Sequence, residues 1–441
     1  MHTGTASRRE AIFILTRWME TEDFPDRLLT DSPDRGFVMD LVYGTVRWRR
    51  ALEWALGQLM KRPAEGETHA ALLIGAYQVL LREEMPAYAT VHATVEAAKI
   101  ASARSAGLVN GVLRNLLRRR DELLASLAKQ PVGVRLSHPD ALVARWQARY
   151  GATETEALCQ WNNVPAQTVI ALLPDFSSAT VSPSNRLTAH CSLITDYCSL
   201  LTTHYSQLTG DSPPLLTPHP AAPERCLLVP HGMRVEDLPG YREGRFVVQD
   251  PATLAAVDLL DVRPGMTVLD ACAAPGGKTA QLAARMAGQG RLIAMDLYAD
   301  RLQILQSTLD RTRQNWVEVV QGDATVNAPL DPPKFDRILL DVPCSNTGVL
   351  RRRPDARWRF SVQRLKQLCA VQQQILTRML PRLAPGGRLV YSTCSLEPEE
   401  NREQVQRALA ATPDMRLEAV EERLPMRNGI DGAFAAVLVR E

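Results

Sequence analysis

The chain has 441 residues, of which 45% are hydrophobic and 23% charged, and its formal net charge is +2. This length predicts two or three domains, and the composition is that of a soluble globular protein. The nearly neutral charge excludes a uniformly basic nucleic-acid binder, so contacts with nucleic acid must come from local patches. No apolar run approaches the roughly 18 residues that a membrane span needs. Without an export signal, the eight cysteines are expected to be reduced thiols of a cytoplasmic protein.

The first 130 residues predict an all-helical bundle, because apolar residues recur at helical spacing and few strand-like alternations occur. The predicted helices span Ala11 to Met19, Phe37 to Trp48, Ala51 to Met60, His69 to Leu81, Thr90 to Ile100 and Leu108 to Leu127. An arginine cluster at 114 and 118–120 is interpreted as a solvated helix end, with RNA contact as the alternative.

The middle of the chain, to about Gly244, predicts a small irregular α+β connector. Helices are expected over 142–150 and 154–161, but residues 176 to 217 hold 15 Ser or Thr and only three charged residues. Four residues of this stretch, His190, Cys191, Cys198 and His204, suggest a metal site. Their spacing fits none of the usual zinc patterns, so no metal is expected.

From about Phe246 the pattern predicts an α/β domain. Apolar runs at 267–269, 292–295, 317–320, 338–340 and 389–391 alternate with helical stretches at 278–287, 299–313, 361–383 and 399–410. Such alternation is typical of a doubly wound parallel sheet, in which ligands bind at the carboxyl ends of the strands. Asp270, Asp296, Asp341 and Cys394 all lie at predicted carboxyl ends, so one edge of the sheet is expected to gather them.

The turn after the first of these strands, Cys272-Ala-Ala-Pro-Gly-Gly-Lys278, allows a ligand to approach the backbone closely. Tight packing is the alternative explanation for such a turn. One strand later, Asp296 is placed to bind both hydroxyls of a ribose. Asp323 follows the next strand and is placed for an adenine amino group, although an aspartate there also suits a turn or a helix cap. Together these carboxylates indicate an adenosyl cofactor without a pyrophosphate.

Two cysteines follow the later strands, Cys344 in a Pro-Cys-Ser loop and Cys394 in Thr393-Cys-Ser395. A lone cysteine in an apolar run is usually structural. Here polar neighbours surround each thiol at the predicted ligand edge, and Pro398 predicts a helix that opens with Glu399 and Glu400. The remaining cysteines (Cys159, Cys191, Cys198, Cys226 and Cys369) are interpreted as packing residues. Cys272, within the cofactor loop, need not react.

Thiols beside an adenosyl site suit the methylation of cytosine at C5. That carbon is a poor nucleophile, but a thiolate that adds to C6 converts the ring into an enamine whose C5 can accept a methyl group. Asp341 is placed to stabilise the adduct near N3 and the exocyclic amine. The target cytosine has to be unpaired or flipped to reach the thiol.

The motifs that contain Asp270 to Thr279, Asp341 to Ser345 with Gly348, Ser392 to Ser395 with Pro398 to Asn401, and Asp431 to Phe434 closely resemble those of RNA (cytosine-5) methyltransferases. The resemblance implies S-adenosylmethionine as cofactor, Cys394 as nucleophile and Cys344 as an aid to product release. The cofactor-binding positions that it implies are Cys272, Ala273, Ala274, Pro275, Gly276, Gly277, Lys278, Asp296, Arg301, Asp323 and Asp341. Asp341 is assigned a cofactor contact, a base contact or both.

The front of the chain is similar to NusB-like RNA-binding domains, in Leu41-Val-Tyr-Gly-Thr-Val-Arg-Trp48 and Leu108-Val-Asn-Gly-Val-Leu-Arg-Asn115. This arrangement resembles the bacterial RsmB (Sun/Fmu) family, which methylates one cytosine of 16S ribosomal RNA. It implies a NusB-like domain at 1–132, a connector at 133–244 and a Rossmann-like methyltransferase domain at 245–441. The Ser/Thr-rich stretch and Val169 to Leu173 depart from the family pattern, which leaves the target nucleotide open, with tRNA as an alternative substrate.

Two other functions remain to be distinguished. A DNA cytosine-5 methyltransferase takes its nucleophile from the Pro-Cys loop, and a non-catalytic RNA-binding or antitermination factor would not bind the cofactor. RNA is the expected partner, and the protein is expected to be a monomer. The arginines from Arg351 to Arg359, interleaved with Trp358, are predicted to line the RNA path.

Overall fold

The structure is a computed structural model that describes residues 3–21, 34–101, 105–174, 216–326 and 333–441, with residues 23, 25, 28, 32, 330 and 331 between these ranges. The chain forms two compact units. The helical unit comprises Met1–Pro165 and Leu350–Phe360, and the sheet unit comprises Ala166–Val349 and Ser361–Glu441. The three-domain division with boundaries after residues 132 and 244 stays a prediction.

The helical unit confirms the predicted bundle. Its helices are α1 (Thr3–Glu20), α2 (Arg35–Gly57), α3 (Gly66–Leu81), α4 (Ala87–Ala101), α5 (Ala106–Arg118), α6 (Arg120–Leu127), α7 (Val132–Arg135) and α8 (Asp140–Asn163). The two predicted helices on either side of Arg49 are one helix, and the last predicted helix is divided into α5 and α6. Helix α3 is the centre of the bundle, because every residue from Ala70 to Leu80 is buried. Helix α8 is interrupted at Gly151, whose φ is +78°.

The segment Leu350–Phe360 packs inside the helical unit, although it follows the Cys344 loop in sequence. It contains a short helix, Ala356–Arg359, whose Arg357 side chain is completely buried. The Arg357 guanidinium donates hydrogen bonds to the carbonyl oxygens of Arg47 (3.1 Å), Ser137 (3.0 Å) and Asn162 (3.1 Å) and to Asn163 Oδ1 (2.9 Å). Burial lowers the pKa of Arg357, but a guanidinium so bound remains the donor to four acceptors.

The neighbours of Arg357 in this segment are also committed to the helical unit. Arg351 is 9% exposed and lies over the Trp161 ring, at 4.2 Å from its centroid. The Trp358 indole donates to the Val46 carbonyl at 2.7 Å. The prediction that this run lines an RNA path is therefore wrong for Arg351 and Arg357, because buried cations that bind protein groups are not available to phosphates.

The sheet unit begins with a small antiparallel sheet of order β2-β3-β1-β4. Its strands are β1 (Val169–Leu172), β2 (Thr217–Pro218), β3 (Cys226–Leu228) and β4 (Phe246–Val248). The apolar stretch that departs from the family pattern is thus the buried central strand β1. Most of the Ser/Thr-rich stretch, including His190, Cys191, Cys198 and His204, lies outside the described residues.

A seven-stranded sheet of order β10-β11-β9-β8-β5-β6-β7 forms the rest of the unit. Its strands are β5 (Thr267–Asp270), β6 (Arg291–Asp296), β7 (Glu318–Gln321), β8 (Phe335–Asp341), β9 (Leu383–Thr393), β10 (Met415–Arg423) and β11 (Ala433–Arg440). The five predicted strands are β5 to β9 and run parallel, which confirms the doubly wound fold. Strand β11 is antiparallel to both of its neighbours, so the sheet is mixed.

Helices cover both faces of this sheet, as continuous apolar strands require. The helices are α9 (Pro251–Leu260), α10 (Gly277–Met286), α11 (Ala299–Arg311), α12 (Val362–Met379) and α13 (Arg402–Ala411), and a short helix spans Pro425–Asn428. Alternate strand residues belong to two apolar clusters: Leu269 packs with α12 and α13, whereas Val268 packs with α9, α10 and α11. Within the described ranges, no helix combines the length and the apolar character that a membrane crossing requires.

Candidate active site

The turn between β5 and α10 lies at the carboxyl edge of the sheet and is fixed to β6. The backbone N–H of Ala274 donates to Asp296 Oδ2 at 3.1 Å, and Arg301 binds both the Ala274 carbonyl and the Asp296 carboxylate. Gly276 has a φ of +102°, and a Cβ there would lie 2.8 Å from the Leu305 side chain. Glycine is therefore required at this position for the chain to turn into the helix.

Two carboxylates at this edge, those of Asp341 and Asp296, act on a third, that of Asp270. Asp270 ends β5, is 1% exposed, and accepts a hydrogen bond from Thr279 Oγ1 at 2.7 Å. Its other oxygen, Oδ1, is buried and finds no hydrogen-bond partner among the described residues. Burial and the negative charges of Asp341 and Asp296 raise the pKa of Asp270 to about 7, whereas Thr279 opposes the shift. A cationic ligand would stabilise the ionised form of this cluster.

Lys278 joins the turn between β5 and α10 to the end of β8. Its Nζ lies 2.6 Å from Asp341 Oδ2, and the other oxygen of Asp341 accepts a hydrogen bond from Ser392 at 3.3 Å. Burial alone would lower the pKa of Lys278, but electrostatic interactions with Asp341 and Cys394 and the hydrogen bond to Asp341 outweigh it and raise the pKa. The ammonium is thus electrostatically connected to both a carboxylate and a thiol of the predicted site.

Asp323 follows β7 and closes a turn. Its Oδ1 accepts hydrogen bonds from the backbone N–H of Thr325 at 2.8 Å and from its hydroxyl at 2.7 Å. This is the turn role that the sequence also allows for Asp323. A contact with a cofactor adenine stays a prediction for this residue.

The two predicted catalytic cysteines lie side by side. Cys344 Sγ and Cys394 Sγ are 3.3 Å apart, and Cys394 Sγ also donates to Asn346 Oδ1 at 3.1 Å. Both cysteines are partly exposed. The hydrogen bond with Cys394, burial, and the charges of Cys394 and Glu400 raise the pKa of Cys344 well above its ordinary value. Cys344 is therefore a protonated thiol at neutral pH, in direct contact with the sulfur of Cys394.

Two glycines allow the loops around the thiols to approach each other. The Gly348 N–H donates to the Cys394 carbonyl at 2.9 Å, and the Gly432 N–H donates to the Gly348 carbonyl at 2.8 Å. A Cβ on Gly348 would lie 2.7 Å from the Cys394 carbonyl oxygen and 2.9 Å from Gly432 Cα. The Asp431-Gly432 motif near the end of the chain thus binds Gly348, which in turn binds the backbone of Cys394.

Three further residues of this site were not among the predicted site residues. Asn346, with a φ of +59°, contacts Cys394, and Gln372 of α12 donates to the Pro343 carbonyl at 2.9 Å. Glu400 was predicted to open a helix, but it ends the 3₁₀ turn Pro398–Glu400, and α13 begins at Arg402. The polar pattern Pro-Glu-Glu-Asn is evident in the sequence, but the burial of Glu400 and the residues that bind its carboxylate are not.

Among the other described cysteines, Cys159, Cys226 and Cys369 have the properties of packing residues. Cys159 and Cys226 are fully buried, and burial raises the pKa of each to about 12. Burial raises the pKa of Cys369 to about 11, and that of Cys272 as well, with the carboxylates nearby adding to the effect on Cys272. In the part of the chain that the structure describes, no group of three or more His, Cys, Asp or Glu is arranged to hold a metal ion.

Comparison with known families identifies both parts of the chain. Residues 257–438 match the family described as 16S rRNA methyltransferase RsmB/F, and residues 5–118 match the NusB family. The ribosomal RNA small subunit methyltransferase B of Pseudomonas putida is 35% identical over 430 residues, which cover 93% of this chain and 91% of that protein. The protein of the same name from Serratia proteamaculans is 35% identical and covers 92% of this chain and 91% of its own length.

Solved structures share the fold. PH0851 covers 99% of this chain and 98% of its own, with a TM-score of 0.74 and 21% identity. A methyltransferase homologue from Pyrococcus horikoshii covers 70% of this chain and 98% of its own, with a TM-score of 0.55 and 24% identity. Given the close relatives along nearly the whole sequence, the chain belongs to the RsmB/F family of S-adenosylmethionine-dependent 16S rRNA methyltransferases, with a NusB-family domain at its front.

Proposed function

We propose that the protein transfers a methyl group to C5 of a cytosine in 16S ribosomal RNA through a transient covalent bond between Cys394 and C6. The observation that supports this proposal is the thiol pair, with its sulfurs 3.3 Å apart, beside the Lys278–Asp341 ion pair at the carboxyl edge of the sheet. The RNA would present an unpaired or flipped cytosine, because a stacked base does not reach a partly buried thiol. The ribosomal RNA of the cytoplasm is the proposed substrate.

The residues at the edge fit S-adenosylmethionine. The carboxylates of Asp270 and Asp296 lie where a ligand that carries an ammonium and a sulfonium would meet negative charge, and Asp270 has a buried oxygen with bonding capacity left. The side chains of Leu297 and Tyr298, which follow β6 directly, are 44% and 56% exposed and offer apolar surface to an adenine ring. When bound, the cofactor supplies an electrophilic methyl group. The proposed binding residues are Cys272, Ala273, Ala274, Pro275, Gly276, Gly277, Lys278, Asp296, Arg301, Asp323 and Asp341.

Cys394 is the proposed nucleophile. Its thiolate forms the S–C6 bond, and the electrons of the C5–C6 double bond move towards C5, which then takes the methyl group. Loss of the C5 proton to a base and departure of the sulfur from C6 restore the ring. Cys344 lies in contact with the sulfur that must leave, and we assign to it assistance in this release.

Asp341 is proposed to bind the base through its polar edge. Lys278 Nζ holds the Asp341 carboxylate in place at 2.6 Å, and a carboxylate can accept a hydrogen bond from the exocyclic amine of cytosine. The same ion pair holds the cofactor turn next to the base, so that Asp341 serves both ligands.

Single-cysteine variants test the nucleophile. With 16S rRNA and radiolabelled cofactor, Cys394→Ala should lower methyl transfer by at least about 1000-fold. It should also abolish the covalent complex seen with RNA that contains 5-fluorocytidine, whose C5 has no proton to lose. Cys344→Ala should retain the complex and release it slowly, and Cys226→Ala, which removes a buried thiol of the small sheet, is the control. A complex that survives in Cys394→Ala and disappears in Cys344→Ala would show that the nucleophile is in the Pro-Cys loop, as in DNA methyltransferases.

The target is tested in cells. Mapping of 5-methylcytosine in the 16S rRNA of a strain that lacks the gene should show one site lost, and expression of the wild-type chain should restore it. Unchanged 16S rRNA with a site lost in tRNA would overturn the proposed substrate while leaving the chemistry intact.

A further inference from the structure

A buried carboxylate connects the loops that carry the two thiols. Glu400 is completely buried, and all four hydrogen bonds to its carboxylate come from neutral donors. Its Oε1 accepts from the Ser345 N–H at 2.9 Å and from Gln372 Nε2 at 3.0 Å, and its Oε2 accepts from the hydroxyls of Ser345 and Ser395. Ser345 follows Cys344 and Ser395 follows Cys394, so the carboxylate binds each loop at the residue next to its thiol.

Helix α12 supports this connection from the other side. Gln372 donates both to Glu400 and to the Pro343 carbonyl, at 2.9 Å, immediately before Cys344. Gln404 of α13 in turn donates to Gln372 Oε1 at 3.3 Å. The Tyr391 hydroxyl donates to the Glu400 carbonyl at 2.6 Å, which fixes its backbone as well. The position of Glu400 is therefore fixed by contacts with several elements. Through its hydrogen bonds, Glu400 in turn fixes the positions of the Cys344 and Cys394 loops.

Burial of a carboxylate without a neighbouring cation costs free energy, and a neutral side chain of the same shape would avoid that cost. Its charge, however, acts on the thiol pair. The Glu400 carboxylate disfavours ionisation of Cys344, whereas the Lys278 ammonium interacts favourably with the charge of Cys394. The negative charge of Glu400 thus helps to keep the Cys344 thiol protonated.

We propose that Glu400 is a positioning residue for methyl transfer, which holds the Cys344 and Cys394 loops at contact distance and places a negative charge against the Cys344 loop. The inference rests on the proposed function for its effect on turnover, but its effect on the thiols does not depend on the substrate. Glu400→Gln keeps the shape of the side chain and removes its charge. Glu400→Asp keeps the charge and shortens its reach. Glu403→Gln, which removes a half-exposed carboxylate on the next helix, is the matched control.

The first experiment measures the thiols directly. In a Cys394→Ser background, iodoacetamide alkylation of Cys344 is followed against pH by peptide mass spectrometry. Glu400→Gln should move the midpoint of this titration to lower pH by about half to one unit, because a nearby negative charge has been removed. Glu400→Asp and Glu403→Gln should leave the midpoint close to that of the parent.

The second experiment measures turnover. In the otherwise wild-type protein, Glu400→Gln and Glu400→Asp should each lower kcat about tenfold, with the KM for S-adenosylmethionine within about twofold. The melting temperature reports on folding. If a Glu400 variant does not fold, Ser345→Ala removes one of the four hydrogen bonds to the Glu400 carboxylate, that from the Ser345 hydroxyl, and should lower kcat in the same direction. A loss of cofactor affinity parallel to the loss of kcat would show a merely structural role and overturn the inference.

The two experiments separate the inference from the proposed function. An unchanged Cys344 midpoint together with unchanged kcat in Glu400→Gln would overturn the inference. A wild-type protein that methylates no RNA, but whose Cys344 midpoint responds to Glu400→Gln, would overturn the proposed function and support the positioning of the thiol pair.

Discussion

Replacement of Arg357 by alanine should strongly destabilise the helical unit. The side chain is completely buried and is the donor for four acceptors, three of them backbone carbonyls. Each buried acceptor left without a donor costs about 1–3 kcal/mol. Burial of the cation offsets part of this sum, since it also lowers the pKa of Arg357. We therefore expect Arg357→Ala to lower the free energy of unfolding by about 3–5 kcal/mol, the usual result of breaking a buried charged contact.

Tryptophan fluorescence during urea unfolding measures this loss. Six of the seven tryptophans lie in the helical unit, and Trp316 is the one in the sheet unit, so the signal reports mainly on the unit that Arg357 stabilises. Arg357→Lys should be intermediate, because an ammonium keeps the charge but lacks the planar fork of donors. Arg353→Ala, at an exposed position of the same segment, is the control. An unfolding free energy of Arg357→Ala within about 1 kcal/mol of wild type would refute the reasoning.

Three further predictions concern the sheet unit. Asp270 has a pKa raised to about 7, so the folded protein keeps a proton that the unfolded chain releases above about pH 4. The free energy of unfolding therefore falls as the pH rises from about 4 to about 7. Asp270→Asn should therefore gain melting temperature relative to wild type between pH 5 and pH 8. Gly348→Ala would bring a methyl group within 2.7 Å of the Cys394 carbonyl oxygen and should lower kcat at least about tenfold, whereas Gly111→Ala, with open space around it, should not. Alkylation of the native protein at pH 7.5 should leave Cys226 unmodified, since burial raises its pKa to about 12, and labelling of this thiol as fast as Cys394 would contradict its burial.

The fold was predicted where apolar periodicity is long and regular. The strands β5 to β9 are apolar on both faces, and their carboxyl ends met at one edge as the rule for parallel sheets requires. The last two strands were not predicted. Strand β10 carries five charged residues in Met415–Arg423 and lies at the edge of the sheet, so its sequence lacks the apolar signal of a central strand. The small sheet was missed because its strands are only two to four residues long.

Of the candidate site, the residues at strand ends were predicted and their partners were not. The positions of Asp270, Asp296, Asp341 and Cys394 follow from where a strand stops, which a sequence pattern shows. The partners of Glu400 come from three elements separated by 5 to 55 residues along the chain, and no local pattern connects them. A buried carboxylate in a polar motif is indistinguishable in sequence from an exposed one.

The same reasoning explains why the arginine run was misinterpreted. A cluster of cations next to a catalytic loop has the composition of a nucleic-acid surface, and composition does not reveal burial. The acceptors of Arg357 lie 194 to 310 residues away in sequence. The Cys344 loop leads directly into the segment Leu350–Phe360, which Arg357 binds to the helical unit. One short stretch of chain therefore carries a thiol in its first residues and contributes to the core of the helical unit with its last residues. A substitution of Arg357 should therefore have a larger effect on the free energy of unfolding than on the affinity for RNA.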